Sequence, residues 1–115
     1  MESQCAKVRL RPGSVERVHE WAEELNRRSN EVLEIMRGEG VVVEAAFLDR
    51  TPDGDFLIYY SKARSLQTAR EVARQSRRPI EEYHALFKTD VYESVQQLEP
   101  QIDFDNLSGL SEEAE

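Results

Sequence analysis

The stretch VVVEAAFLDRTPDGDFLIYY occupies residues 41–60 and decides the fold. Two runs rich in β-branched and aromatic residues, 41–48 and 56–60, flank the turn sequence PDG at 52–54. Proline presets the backbone angle at the first turn position, and glycine accepts the left-handed conformation that closes the turn. The sequence therefore predicts a β-hairpin.

Both hairpin strands carry apolar side chains on both faces. An antiparallel sheet with helices on one side is normally polar on the other side. We therefore expect the second face of this sheet to be covered. Because one domain of 115 residues has too few helices to cover both faces, a second copy of the chain is the simplest cover.

The elements before the hairpin follow two different periods. Residues 5–11 alternate, with Ala6, Val8 and Leu10 on one face, which predicts a half-buried strand. A long amphipathic helix is expected from Ser14 to about 37, with a possible bend at Ser29.

After the hairpin, Ser65 and Pro79 mark the starts of two further helices. Leu98, Ile102 and Phe104 suggest a last strand. The predicted order is β-α-β-β-α-α-β, a ferredoxin-like α+β fold with a four-stranded antiparallel sheet. We expect one domain over residues 4–105, followed by an acidic, flexible tail over 106–115.

The charge distribution argues against nucleic acid as a partner, and the distribution of apolar residues argues against a membrane span. The chain has 15 basic and 23 acidic residues, and six of the acids fall in residues 99–115, where no base occurs. Nucleic acid is not an expected partner, because its binding needs clustered lysine and arginine. No apolar run is long enough to cross a membrane, and the first residues do not resemble a signal peptide, so we expect a cytoplasmic protein.

The sequence also resembles a known superfamily. Residues 10–13, LRPG, lead into the helix that carries Val18 and Trp21, and the second helical region carries His84 and Phe87. Over about residues 5–104 this pattern resembles the dimeric α+β barrel superfamily, which includes antibiotic-biosynthesis-monooxygenase-type domains, haem-degrading enzymes and rhamnose-mutarotase-type proteins. The hairpin, from FLDR through the DGD turn to the paired tyrosines, most closely resembles a small bacterial domain family of unknown function.

The resemblance implies a homodimer in which two sheets pack face to face into a barrel. It also implies a ligand cleft between the sheet and the helices of one subunit. Residues that could line such a cleft are Trp21, Tyr59 or Tyr60, Tyr83 and His84. Tyr59 and Tyr60 point to opposite faces of their strand, so only one of them can reach a given cleft.

Two titratable residues are candidates for chemistry. His84 lies on the inward side of its helix, where an imidazole could transfer protons, although a core histidine bonded to a backbone carbonyl is the plainer interpretation. Glu44 is the one charge in an apolar strand, either a base with a raised pKa or an ion-pair partner for Lys7, Arg9 or Arg11.

Other motifs have structural interpretations. The acids Asp49, Asp53 and Asp55 suit a turn and lack the calcium-loop pattern. A metal site built from His19, His84 and Glu44 has no supporting spacing, so neither a metal nor another cofactor is expected, and Cys5 is expected to be a packing residue. An RNA-recognition domain shares the topology, but its aromatic strand motif is preceded here by an aspartate in place of a basic residue.

Two functions therefore stay open. The first is a homodimeric protein without a catalytic motif that binds a small molecule or acts structurally. The second is a cofactor-poor enzyme of the monooxygenase or mutarotase kind, with His84 as acid or base.

Overall fold

Four strands and four helices make up the fold, which the computed structural model describes over residues 1–107. In chain order the elements are β1 (Glu2–Leu10), α1 (Val15–Arg27), α2 (Ser29–Glu39), β2 (Val41–Thr51), β3 (Gly54–Ala63), α3 (Leu66–Gln75), α4 (Pro79–Val91) and β4 (Tyr92–Gln97). The strands form one sheet in the order β2-β3-β1-β4, and every neighbouring pair is antiparallel. This is the ferredoxin-like α+β topology, so the predicted fold class is confirmed.

The predicted hairpin is present and its turn is built as expected. Gly54 has a φ of +139°, a conformation that L side chains rarely adopt. The Thr51 hydroxyl donates to the carbonyl of Gly54 (2.7 Å) and accepts from the amide of Asp53 (3.2 Å). The Thr51 hydroxyl and the positive φ of Gly54 therefore define the turn.

The long first helix is divided into two. Arg28 leaves the helical conformation (φ −105°, ψ 33°), and α2 begins at Ser29, where the sequence suggests a bend. The Arg28 side chain spans the joint, contacting Glu24 at 3.5 Å and Glu31 at 2.7 Å. Such exposed pairs add little stability, but they tie the two helices across the bend.

The last strand is not where the apolar pattern suggests. β4 is Tyr92–Gln97 and follows α4 directly, whereas Leu98, Ile102 and Phe104 come after it. β4 is a sheet edge with mostly polar, exposed side chains on both faces. An edge strand of this kind has no apolar alternation, so hydrophobic periodicity cannot reveal it.

We call the side of the sheet that packs on the helices the helix face, and the opposite side the far face. The core lies on the helix face, where Trp21 and Phe87 pack on strand residues. Its buried strand and helix members are Ala6, Val8, Leu10, Val18, Trp21, Leu57, Phe87 and Val91.

The far face is covered in part by the chain itself. Phe56 is nearly buried beneath the Lys7 ammonium and the Arg9 guanidinium, which lie 4.5 and 4.6 Å from the ring centre. At the other end, residues 98–105 cross the far face; we call this segment the strap. Phe47, between the two ends, stays 63% exposed. The expectation that a second copy is the simplest cover for this face is therefore incomplete, because the chain itself supplies part of the cover.

The strap is held by a buried lysine. Lys62 on β3 is 2% exposed, and its ammonium donates to Asp103 (2.7 Å) and Asp105 (2.8 Å). These two hydrogen bonds raise the pKa of Lys62, and Lys62 in turn lowers the pKa of Asp103. The Ser3 hydroxyl donates to Asp103 (2.8 Å) and the Leu98 amide to the Cys5 carbonyl (2.9 Å). Apart from Asn106 and Leu107, the predicted tail lies outside the described residues.

We expect Phe87→Ala to lower the free energy of unfolding by about 3–5 kcal/mol, because it leaves a cavity beside Trp21 in a fully buried site. Urea denaturation measures this loss. Leu86→Ala, at a side chain 63% exposed on the same helix, is the control and should change the unfolding free energy by less than about 0.5 kcal/mol. Equal losses in the two variants would contradict the assignment of Phe87 to the core.

Candidate functional site

An aromatic cluster joins α1, α4 and β3 on the helix face. Trp21 of α1 is 5% exposed and stacks on Phe87 of α4, with ring centres 4.4 Å apart and planes 5° apart. His84, one turn before Phe87, lies 5.7 Å from the Trp21 ring, and Tyr59 of β3 lies 6.2 Å from it. Trp21, His84 and Phe87, predicted to lie on the inward sides of their helices, therefore lie close together, and Tyr59 of β3 contacts the cluster.

The Trp21 indole determines the protonation of His84. Its Nε1–H donates to Nδ1 of His84 at 3.0 Å. An indole nitrogen can only donate, so Nδ1 carries no proton and the neutral ring holds its proton on Nε2. Burial, and to a smaller extent the nearby charge of Lys88, lower the pKa of His84 to about 4. At neutral pH His84 is therefore a neutral hydrogen-bond donor through Nε2.

Tyr59 and Glu44 form the second polar pair of this region. The Tyr59 hydroxyl donates to a carboxylate oxygen of Glu44 on the neighbouring strand. Burial, and then the Glu44 charge, raise the pKa of Tyr59 well above its usual value, and the same causes raise the pKa of Tyr92 to about 12. Both phenols therefore stay protonated at neutral pH, and Glu44 is an acceptor fixed by Tyr59.

Two clefts open on either side of Tyr59. The larger, of about 640 Å³, lies between α1–α2 and β2, and we call it the β2 cleft. The smaller, of about 350 Å³, lies between α4 and strands β1 and β4, and we call it the β4 cleft. Volumes of this order hold small organic ligands. Tyr59 lines both clefts, so a ligand in either one meets this side chain.

The two clefts differ in their chemistry. The β2 cleft is mainly apolar, with Glu44, Asn26 and Ser29 as polar groups beside Trp21 and Tyr59. The β4 cleft is more polar, and its polar lining comprises Gln4, Tyr59, Ser61, His84, Lys88, Tyr92 and Gln97. The larger cleft thus offers a carboxylate acceptor, whereas the smaller one offers mainly donors and amides.

Four of the six predicted site residues therefore lie together: Trp21, Glu44 and Tyr59 at the β2 cleft, and His84 with Tyr59 at the β4 cleft. Tyr60 and Tyr83 lie elsewhere. Tyr60 is on the far face, where its hydroxyl is 3.2 Å from the Ser3 hydroxyl, and Tyr83 accepts from Arg17 at 3.2 Å. The alternation of a strand separates Tyr60 from Tyr59.

Sequence reasoning missed several lining residues. Ser61 follows Tyr59 by two positions and shares its face, so strand alternation alone could have identified it. Tyr92 and Gln97 were missed because β4 itself was misplaced. Asn26 and Ser29 lie near the α1–α2 joint, and nothing in the sequence distinguishes them from solvent-facing polar residues.

A pair of carboxylates, Glu39 and Glu81, lies near this region. Burial first, and then the neighbouring Glu81 carboxylate, raise the pKa of Glu39, at the end of α2, to about 7. One oxygen of Glu81 is buried and has no hydrogen-bond partner among residues 1–107. In the same described part of the chain, no three His, Cys, Asp or Glu side chains are placed to hold a metal ion.

Cys5 is a half-buried free thiol on the far face. It lines a third cavity, of about 350 Å³, between the strap and the strands. Within residues 1–107, no helix is long and apolar enough to span a membrane.

Solved structures of the same fold define the class of this protein. An L-rhamnose mutarotase from Formosa agariphila is 16% identical and superposes with a TM-score of 0.64, covering 91% of this chain and all of that one. A NIPSNAP-family protein of unknown function from Agrobacterium tumefaciens is 17% identical with a TM-score of 0.55, covering 84% of this chain and 82% of that one. At such identities the likeness shows the fold alone: a small ferredoxin-like α+β protein.

The family is narrower than the fold. Residues 1–108 match the model of a family of unknown function, DUF6176, and the chain belongs to that family. The predicted resemblance to a domain family of unknown function is thereby confirmed. No curated protein matches the chain.

His84→Asn keeps an acceptor for the Trp21 indole and removes the titrating ring. The folded-state pKa of about 4 lies below the ordinary value of 6.5, so the unfolded chain binds more protons between these pH values. The His84 contribution to the free energy of unfolding should therefore fall by roughly 3 kcal/mol between pH 7 and pH 4. Urea denaturation of both proteins at the two pH values measures it.

Glu39 contributes a pH dependence of the unfolding free energy with the opposite sign. Its raised pKa destabilises the fold as the pH rises from about 4.5 to 7, and this contribution is common to both proteins. The difference between the wild type and His84→Asn therefore isolates the imidazole. Parallel pH dependence in the two proteins would show that His84 is not a buried neutral ring.

Proposed function

We propose that this protein binds a neutral, hydroxylated small molecule of about monosaccharide size in the β2 cleft. The observation that carries the proposal is the Tyr59–Glu44 hydrogen bond between two lining residues of this cleft, beside the Trp21 ring. A carboxylate with one oxygen engaged by a phenol keeps acceptor capacity for a ligand hydroxyl. Apolar surface around such an acceptor suits the mixed surface of a sugar or a related polyol.

His84 supports this site through the cluster. Trp21 donates to His84 and is stacked on Phe87, so its ring cannot turn without losing both contacts. A ring fixed in this way presents a constant edge to the cleft, which reduces the entropy lost on ligand binding. The likeness in fold to a rhamnose mutarotase makes sugars the first ligands to test.

We also propose that the protein acts as a homodimer in which the far faces of two sheets pack together. Phe47 is 63% exposed in the middle of this face, and the flanking residues are only partly covered by the same chain. Packing a second sheet there would remove this aromatic surface from water, a favourable contribution to association.

Glu44→Gln should weaken the binding of L-rhamnose, or of whichever neutral monosaccharide the wild type binds best, by about 10- to 100-fold. The substitution keeps the shape of the side chain and removes the charge that strengthens the hydrogen bond. Titration calorimetry against a panel of neutral monosaccharides gives the dissociation constants. Glu23→Gln, at an exposed acid on α1 outside both clefts, is the control and should bind like the wild type.

Two results would contradict the proposal. One is a wild-type protein that binds none of these sugars at millimolar concentration. The other is a Glu44→Gln variant whose affinity equals that of the wild type, because the cleft would then not use its carboxylate.

A second candidate function is mutarotation of the bound sugar, and the Tyr59–Glu44 pair is what favours it. Glu44 would take the proton of the anomeric hydroxyl while the bond between the anomeric carbon and the ring oxygen breaks. The ring oxygen would take the Tyr59 proton, which Glu44 restores. In this scheme Glu44 is the base, and His84 is a donor that positions the site rather than an acid or base, since its Nδ1 is occupied and its pKa is lowered.

Exchange between the anomers of L-rhamnose, followed by NMR, tests this second function. The wild type should accelerate the exchange, Glu44→Gln should lose at least about 100-fold of the acceleration, and His84→Asn should lose less than about 10-fold. If His84→Asn abolished the acceleration while Glu44→Gln kept it, the roles assigned here would be reversed.

A further inference from the structure

The strap alternates between inward acids and outward apolar side chains. Asp103 and Asp105 turn towards the sheet and bind Lys62. Between and before them, Phe104 is 88% exposed and Ile102 is 77% exposed, the two most exposed large hydrophobic side chains of the described residues 1–107. The strap therefore presents two apolar side chains to solvent from a fixed backbone.

Charge-assisted hydrogen bonds to a buried lysine anchor the strap. Burying a lysine is costly unless its charge is paired, and Lys62 is paired with two carboxylates at hydrogen-bond distance. Asp103 also accepts from Ser3, and Asp105 accepts from the amide of Leu107. These contacts hold in place a segment whose own apolar side chains bury little surface within the same chain.

The position of the strap limits how two copies can pack. Sheets that pack face to face lie about 10 Å apart, so a segment lying on the far face fills the gap at its end of the sheet. If two copies met with their strap ends together, both straps would compete for the same gap. A two-fold axis perpendicular to the strands avoids this, because it sets the strap end of one copy against the hairpin end of the other.

Charge favours the same arrangement. The strap end carries Glu99, Asp103 and Asp105 against Lys62, an acidic excess. The hairpin end is less acidic. Lys7 and Arg9 lie there over Phe56, and these two cations and Arg50 nearly offset the acids Asp49, Asp53, Asp55 and Glu93. A dimer in which strap end faces strap end would bring two acidic straps together. A dimer in which strap end faces hairpin end places each strap on an aromatic surface lined with cations.

We propose that the strap is a docking arm for a second copy of this chain, with Ile102 and Phe104 packing on the hairpin end of the partner's far face. The inference rests on the homodimer proposed above and adds its register. In such a dimer each copy gives one arm and receives one, so the interface is closed and self-complementary.

Disulfide trapping tests the register. In a Cys5→Ser background, Arg9→Cys and Phe104→Cys are made separately and together. Within one chain the strap contacts β1 at Ser3, through Asp103. Arg9 lies six residues further along the same strand, so the distance from Ser3 to Arg9 is roughly 20 Å. That distance is far beyond disulfide reach, so a bridge between these positions has to join two copies.

On mild oxidation we expect the doubly substituted protein, and an equimolar mixture of the two single variants, to form covalent dimers on a non-reducing gel. The Phe104→Cys variant alone should stay monomeric on that gel. The matched control pairs Arg9→Cys with Leu86→Cys, an exposed position on the helix side, and should not crosslink.

Two outcomes would overturn the inference. A bridge formed by Phe104→Cys alone, without one in the mixture, would place strap against strap. A wild-type chain that light scattering shows at 13.3 kDa rather than twice that mass would remove the homodimer and the docking arm together. Neither outcome bears on sugar binding in the β2 cleft, which calorimetry measures separately.

Discussion

The hydrogen bond from the Trp21 indole to His84, made while the same ring stacks on Phe87, connects the fold to the site. It joins α1 to α4 above the sheet, and it uses the one acceptor nitrogen of the imidazole. The position of Tyr59 beside this cluster then determines where the two clefts lie. The contacts that hold α1 against α4 therefore also fix the polar groups that the two clefts present to a ligand.

The protonation of the site follows from burial. His84 is neutral because a buried cation is costly and Lys88 is nearby, and Tyr59 stays protonated because it is buried beside Glu44. The β2 cleft therefore offers one carboxylate acceptor, Glu44, beside the neutral Tyr59 and Trp21 side chains, and among residues 1–107 no lysine or arginine lines it. That combination favours a hydroxylated ligand over a strongly charged one, and it assigns the role of base to Glu44 if the protein is an enzyme.

Sequence reasoning identified the hairpin, β1 and the helical stripes because each has a strong period or a turn with a specific mechanism. It could not locate β4, since an edge strand with polar side chains on both faces leaves no apolar signal. It placed Trp21 and His84 on inward helix positions and named Glu44 and one of Tyr59 and Tyr60 as site candidates. The bond between Trp21 and His84 could not be predicted, because it depends on how α1 packs against α4. The strap was missed for a similar reason, because its anchor, Lys62, is 41 residues from Asp103.

The tautomer of His84 tests the central claim most directly. In a protein labelled with ¹⁵N at histidine, two-dimensional NMR at pH 7 distinguishes a proton on Nε2 from one on Nδ1 or on both nitrogens. The geometry requires a neutral His84 with its proton on Nε2 and a Trp21 indole proton that exchanges slowly with solvent. A proton on Nδ1, or a charged ring at this pH, would contradict the Trp21–His84 bond and the division of roles in the site that depends on it.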